Sequence, residues 1–147
     1  MKLAIGTAQF GLDYGIANSG GKVTLADASE IIALANTLGI HTIDTAAAYG
    51  NSEEVVGSLS HQSHKIITKL PRVPDGCDDV FQWVTEQLLL SLSKLKRESL
   101  DAILLHDPNQ LNCEYGNELY RALYEFKSQG HVKKIGISIY DPQELEC

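Results

Sequence analysis

Residues 102–108 read Ala102-Ile103-Leu104-Leu105-His106-Asp107-Pro108. Four apolar residues in a row are too few for a helix buried on every side, and Pro108 stops the run, so the segment reads as a short strand apolar on both faces. A strand of that kind belongs in a sheet covered on both sides or closed on itself. Its last residue is followed at once by an ionisable one, His106.

The same punctuation recurs on either side. Upstream, Lys65-Ile66-Ile67-Thr68-Lys69 is a strand stopped by Pro71, and His41-Thr42-Ile43-Asp44 is another. Leu3-Ala4-Ile5 reads as the first strand, followed by a loop through Gly11, Gly15, Gly20 and Gly21; downstream, Ile135-Gly136-Ile137-Ser138-Ile139 reads as the fifth. Between them lie helical periodicities. One helix starts at Thr24, an N-cap with Asp27 three residues on, presents Ala28, Ile31, Ile32, Ala35 and Leu38 as its apolar face, and closes at Gly39. A short helix covers Ser52 to Leu59, and a long one carries the stripe Val80, Val84, Leu88, Leu92 and Leu95, with Trp83 packing on it. A fourth begins near Asn117, runs through Tyr120, Leu123, Tyr124 and Lys127, and is closed by Gly130. Asp141-Pro142 then looks like an N-cap and N1 proline opening a further helix. Strand–helix alternation implies an α/β fold of parallel strands joined by right-handed crossovers.

The chain has 147 residues, of which 44% are hydrophobic, with a formal net charge of -7. That suffices for one domain with a real core. Lysine and arginine form no cluster, which disfavours nucleic acid and acidic membranes as partners. No apolar run is long enough for a membrane span or a signal peptide. The three cysteines, Cys77, Cys113 and Cys147, are widely spaced and read as free thiols, fitting a reducing, cytoplasmic setting. His61 and His64 form an H-x-x-H without a third ligand nearby, so they are expected to be surface histidines and no metal site is read. The glycines from Gly6 to Gly11 do not make a dinucleotide fingerprint, because they open into a loop.

Chemistry in parallel βα folds collects where strands end. Asp44, Lys69 and His106 terminate three successive strands on one side, and Tyr49 lies five residues beyond Asp44 in the loop on that side. A free tyrosine titrates at about 10 and donates protons reluctantly at neutral pH. A neighbouring ammonium stabilises the phenolate and makes the phenol a better acid. A carboxylate would hold that ammonium in place, and an imidazole could orient a carbonyl oxygen. The quartet suits protonation of an oxygen on which negative charge is developing.

Several ordered stretches resemble the aldo-keto reductases. Gly6-Thr7-Ala8-Gln9-Phe10-Gly11 is similar to the family's G-T-x-x-F-G opening, extended by Tyr14-Gly15. Asp44-Thr45-Ala46-Ala47-Ala48-Tyr49-Gly50-Asn51-Ser52-Glu53 resembles its D-T-A-x-x-Y-G-x-S-E signature. Ile67-Thr68-Lys69, the stretch from Ser91-Leu92 to His106-Asp107-Pro108, and Gly130 through Gly136-Ile137-Ser138 resemble three further segments.

The resemblance implies a parallel (β/α)8 TIM barrel, of which residues 1–147 would supply about the first five strands and four helices of one domain, cut short at its C-terminal end. It implies NADPH-dependent reduction of an aldehyde or ketone, or the reverse oxidation. Tyr49 would be the general acid, Lys69 its tuner, Asp44 the partner of Lys69, and His106 the group orienting a small carbonyl substrate. Gly6, Thr7, Asp44 and Ser138 would bind the cofactor, with Ser138 on its carboxamide; Ile139 stands where the family commonly has Asn. The family's phosphate-binding loops come late in the barrel, beyond position 147. First and fifth strands would then be open edges, which predicts self-association. Two other readings remain open from the residues: a regulatory subunit that binds NADPH without turnover, and a non-catalytic fragment that binds none.

Overall fold

The computed structural model describes residues 3–146; Cys147 lies outside the described residues. Five strands, β1 (Ile5–Gly6), β2 (Thr42–Asp44), β3 (Lys65–Leu70), β4 (Ala102–Leu105) and β5 (Ile135–Ile137), form one sheet in the order β1-β2-β3-β4-β5. Every neighbouring pair is parallel. Crossovers run through α1 (Ala8–Gly11), α2 (Leu25–Thr37), α3 (Ser52–Leu59), α4 (Val80–Leu95) and α5 (Gly116–Ser128). Sequential order of parallel strands with helical crossovers between them is the winding seen in (β/α)8 barrels, and the described residues form one five-stranded sheet with it.

Local signals place the helices. The Thr24 hydroxyl accepts from the Asp27 backbone N–H at 3.2 Å, capping α2, a contact typically worth about 1 kcal/mol. Asp79 caps α4 in the same way through the N–H of Gln82. Gly39 has φ +72, a left-handed conformation after the end of α2 that a side chain would disfavour.

Side chains alternate across each strand. Ile43, Ile66, Leu70, Ile103 and Leu105 face the helices and are at most 1% exposed. They feed two core clusters. Ile43, Ile66, Phe10, Val56, Leu92 and Leu95 meet Ala28 and Ile32 of α2. Ile103 and Leu105 meet Val84 and Leu88 of α4 and Leu119, Leu123 and Phe126 of α5. Trp83 packs against the second cluster.

The structure corrects several sequence expectations. The first strand is Ile5–Gly6 rather than Leu3–Ile5: its pairing with β2 runs only over Ile5 with Ile43 and Gly6 with Asp44, and Leu3 stays 49% exposed. The fifth ends at Ile137 rather than Ile139, since β4 stops at Leu105 and leaves nothing further to pair. Ile31 and Leu38 are 40% and 67% exposed, so the buried face of α2 narrows to Ala28, Ile32 and Ala35. The Gly-rich loop contains a one-turn helix, α1, and the segment from Pro142 to Glu146 is 3-10. His64 is 4% exposed, not a surface residue: its Nδ1 accepts from the His61 N–H at 2.8 Å and its Nε2 bonds Asn36 Oδ1 at 2.7 Å. Both ring nitrogens are satisfied, which lets the ring be buried.

Candidate active site

Strand register decides which side chains share a face. Gly6 pairs with Asp44, Asp44 with Ile67, Lys69 with Leu104, and Leu104 with Gly136. With a side-chain period of two, Gly6, Asp44, Lys69, His106 and Ser138 therefore lie on the face opposite the helices. All five stand at the C-terminal ends of their strands, which is where the loops open and chemistry is found in parallel βα folds.

Lys69 is the centre of this rim. It is 5% exposed, and its Nζ donates to Asp44 Oδ1 at 2.5 Å and to the Thr45 carbonyl at 2.9 Å. A buried ammonium requires such partners, because desolvation without them costs several kcal/mol. The same Nζ lies 5.1 Å from the centre of the Tyr49 ring. The Tyr49 and His106 rings meet edge to face, 5.6 Å between centres at 81°. The four residues expected from sequence are thus brought together. Burial lowers the His106 pKa from its ordinary 6.5, the Lys69 charge lowers it further, and Asp44 partly offsets this. The imidazole is therefore neutral at neutral pH and can donate through one nitrogen.

Tyr49 is held through its backbone. Its N–H donates to the Ala46 carbonyl at 3.0 Å, and its own carbonyl accepts from the Ser52 N–H at 3.0 Å. Gly11, at the end of α1, presses on the same turn: a Cβ there would stand 1.6 Å from the Tyr49 carbonyl oxygen. Gly50 completes the close approach, with a φ of +57 and a Cβ position 2.5 Å from the Gly11 carbonyl oxygen. Nothing in the local sequence marks Gly11 for this task; only the quoted motif hints that a glycine is required there.

A cleft of about 340 Å³ opens beside these groups, lined by Gly6, Thr7, Ala8, Gln9, Tyr14, Gly15, Asp44 and Tyr49. A side chain on Gly6 would meet nothing within 4 Å, so the floor beside it is open backbone. The Thr7 side chain is turned away and committed: its hydroxyl donates to the Asp44 carbonyl at 2.9 Å. Ser138 does not line this cleft, although its N–H is fixed to the Leu105 carbonyl at 2.9 Å beyond β5. The space left open at Gly6 and the Asp44 carboxylate, an acceptor, fit a ring bearing an amide. No Lys or Arg is among the residues that line the cleft.

Two sets of buried polar contacts were not foreseen. Thr7, Thr45 and Ser52 are each 0% exposed and bond to one another, and Thr68 Oγ1 donates to Glu53 Oε1 at 2.7 Å on the helix side of β3. Among the described residues, no group of three or more His, Cys, Asp or Glu is arranged to hold a metal ion, and no helix is long and apolar enough to cross a membrane.

The chain is similar to known proteins both in sequence and in fold. The uncharacterized oxidoreductase C28F2.05 of Schizosaccharomyces pombe is 31% identical over 133 residues, covering 86% of this chain and 47% of its own length. The solved structure of a Pseudomonas aeruginosa protein assigned as an aldo-keto reductase superimposes with a TM-score of 0.79 at 31% identity, covering 93% of this chain and 55% of its own. A mutant of Gox0644 in complex with NADPH matches with a TM-score of 0.68 at 27% identity, over 99% of this chain and 47% of its own. The chain spans about half the length of the relatives it matches. The model of the Aldo/keto reductase family matches residues 2–147. Sharing that family's pattern along its length and its fold in space, the chain belongs to the aldo/keto reductase family.

Proposed function

We propose that this chain carries the acid–base half of an NADPH-dependent carbonyl reductase, acting on a small aldehyde or ketone or on the alcohol in reverse. The observation that carries the reading is the packing of the Lys69 ammonium against both the Asp44 carboxylate and the Tyr49 ring, with His106 at the ring's edge. Membership of the family and a structural neighbour complexed with NADPH support the cofactor.

NADPH, when bound, supplies the hydride that adds to the carbonyl carbon. Gly6, Thr7 and Asp44 would wall the ring end of the cofactor, with Ser138 on its carboxamide. Tyr49 gives its phenolic proton to the carbonyl oxygen as charge builds there, and solvent restores that proton afterwards. Lys69 stabilises the phenolate left behind, and Asp44 keeps the ammonium in place. His106, being neutral, donates an N–H to the carbonyl oxygen and orients it. Because Cys77 and Cys113 are both free, we place the protein in a reducing compartment, the cytoplasm.

The test is NADPH oxidation with a panel of small aldehydes and ketones, alongside direct titration with NADPH. Turnover supports the reductase; tight binding with no turnover on any carbonyl would replace it with a cofactor-binding regulatory subunit.

A further inference from the structure

Thr45 stands between the two anchors of the Lys69 ammonium. The carboxylate of the preceding residue, Asp44, takes one bond from Nζ, and the carbonyl of Thr45 itself takes another. Any rotation of the Thr45 backbone would move both. Its N–H is tied to the Ile67 carbonyl at 2.9 Å, and its side chain enters a knot of three hydroxyls on residues that are all 0% exposed. Thr45 Oγ1 and Ser52 Oγ lie 3.0 Å apart; Ser52 Oγ donates to the Thr7 carbonyl at 2.8 Å and lies 2.9 Å from Thr7 Oγ1. Thr7 Oγ1 in turn donates to the Asp44 carbonyl at 2.9 Å, beside the Thr7 N–H on the same oxygen at 3.0 Å.

The proton count closes only one way. Thr7 spends its hydroxyl proton on Asp44 and Ser52 spends its own on Thr7, so Thr45 must donate to Ser52. Ser52 opens α3, and it thereby ties the first turn of that helix to the ends of β1 and β2 at the point where Lys69 is held.

We propose that Thr45 and Ser52 are positioning residues for the Lys69 ammonium, and through it for the reduction proposed above, on which this inference rests. Neither lines the cleft itself; both act from behind its wall, through Thr7 and Asp44. Removing either hydroxyl leaves a buried partner without its bond and leaves the Thr45 backbone held by its N–H on Ile67 alone, free to tilt its carbonyl away from Lys69.

The experiment follows the Lys69 ammonium directly, by proton–nitrogen NMR of the full chain labelled with 15N-lysine, the signal being assigned by its loss in Lys69→Arg. An ammonium locked on a carboxylate and a carbonyl exchanges slowly with water and gives a resolved signal. Thr45→Val keeps the shape and removes the hydroxyl, Thr45→Ser keeps the hydroxyl, and Ser52→Ala removes the acceptor. The signal is expected to survive in Thr45→Ser and to be lost in Thr45→Val and Ser52→Ala, with kcat/KM for carbonyl reduction lowered about tenfold or more in those two. An unchanged signal in both hydroxyl-free variants would overturn the proposal, even if their melting temperatures fell, because that is what a purely structural role produces. Equal loss in Thr45→Ser, or no signal in the parent chain, would overturn it as well. Should Ser52→Ala fail to melt cooperatively, the two Thr45 variants decide. A parent that gives the signal but no turnover removes the reductase reading while the NMR comparison still tests the positioning.

Discussion

The Lys69 ammonium lies 2.5 Å from the Asp44 carboxylate and 5.1 Å from the centre of the Tyr49 ring, so one buried cation serves both neighbours. The carboxylate side chain is 32% exposed while that of Lys69 is 6% exposed. The pair is therefore asymmetric: Asp44 has water as a second partner, and Lys69 depends on what the protein gives it.

From this asymmetry, Asp44→Ala is expected to be more harmful than Lys69→Met. Asp44→Ala strands a buried ammonium on a single carbonyl, at a cost of about 3 kcal/mol, in the range for breaking a buried pair from one side. Lys69→Met leaves a carboxylate that water can reach and is expected to cost less than half of that. Urea unfolding of the two variants measures the difference, and equal losses would remove the asymmetry.

Gly11→Ala is expected to destabilise the protein by about 2 kcal/mol or more, since the new methyl would overlap the Tyr49 carbonyl oxygen and must push the turn aside. Gly76→Ala is the contrast: its cost is the left-handed penalty at φ +77, which Gly11 does not carry, and its Cβ would meet nothing within 4 Å. Gly11→Ala should also disturb the Tyr49 ring resonances by NMR, and Gly76→Ala should not.

Stability is expected to fall as the pH drops below about 6.5. Burial lowers the pKa of His64 from its ordinary 6.5, with the His61 backbone contact opposing the shift, and burial together with Lys69 lowers that of His106. Well above 6.5 neither the folded nor the unfolded chain protonates these rings. As the pH falls through 6.5 the unfolded chain takes up protons first, so these rings favour unfolding progressively until the folded values are reached. Urea midpoints measured across that window should decline, and His64→Gln should flatten the decline. A midpoint that rises on acidification would reverse the sign.

How much of this was legible in the sequence depends on the range of the interaction. Asp44, Lys69 and His106 could be read because each follows a short apolar run, and a parallel strand brings its C-terminal end to the same rim as its neighbours. The bounds of α3 and β4 were legible for a similar reason, with Ser52 and Pro108 as local punctuation. The role of Gly11 was not, because it is set by a carbonyl 38 positions away along the chain. The Thr7–Ser52 contact spans 45 positions and joins residues that, taken singly, look like ordinary loop and N-terminal helix residues. Ile31 and Leu38 misled because periodicity marks an apolar stripe but not how much of it the neighbouring elements cover. His64 misled in the opposite sense, since a polar loop gave no sign that Asn36 would satisfy its second nitrogen.

The placement of Tyr49 against Lys69 and His106 as a proton donor is tested most directly by Tyr49→Phe. The substitution removes one oxygen and keeps the ring that packs against both neighbours. NADPH-linked carbonyl reduction, read as kcat/KM, is expected to fall about 10²–10⁴-fold, the usual worth of a general acid, with the melting temperature and NADPH affinity close to those of the parent. Reduction at the parental rate in a folded, NADPH-binding Tyr49→Phe protein would contradict it.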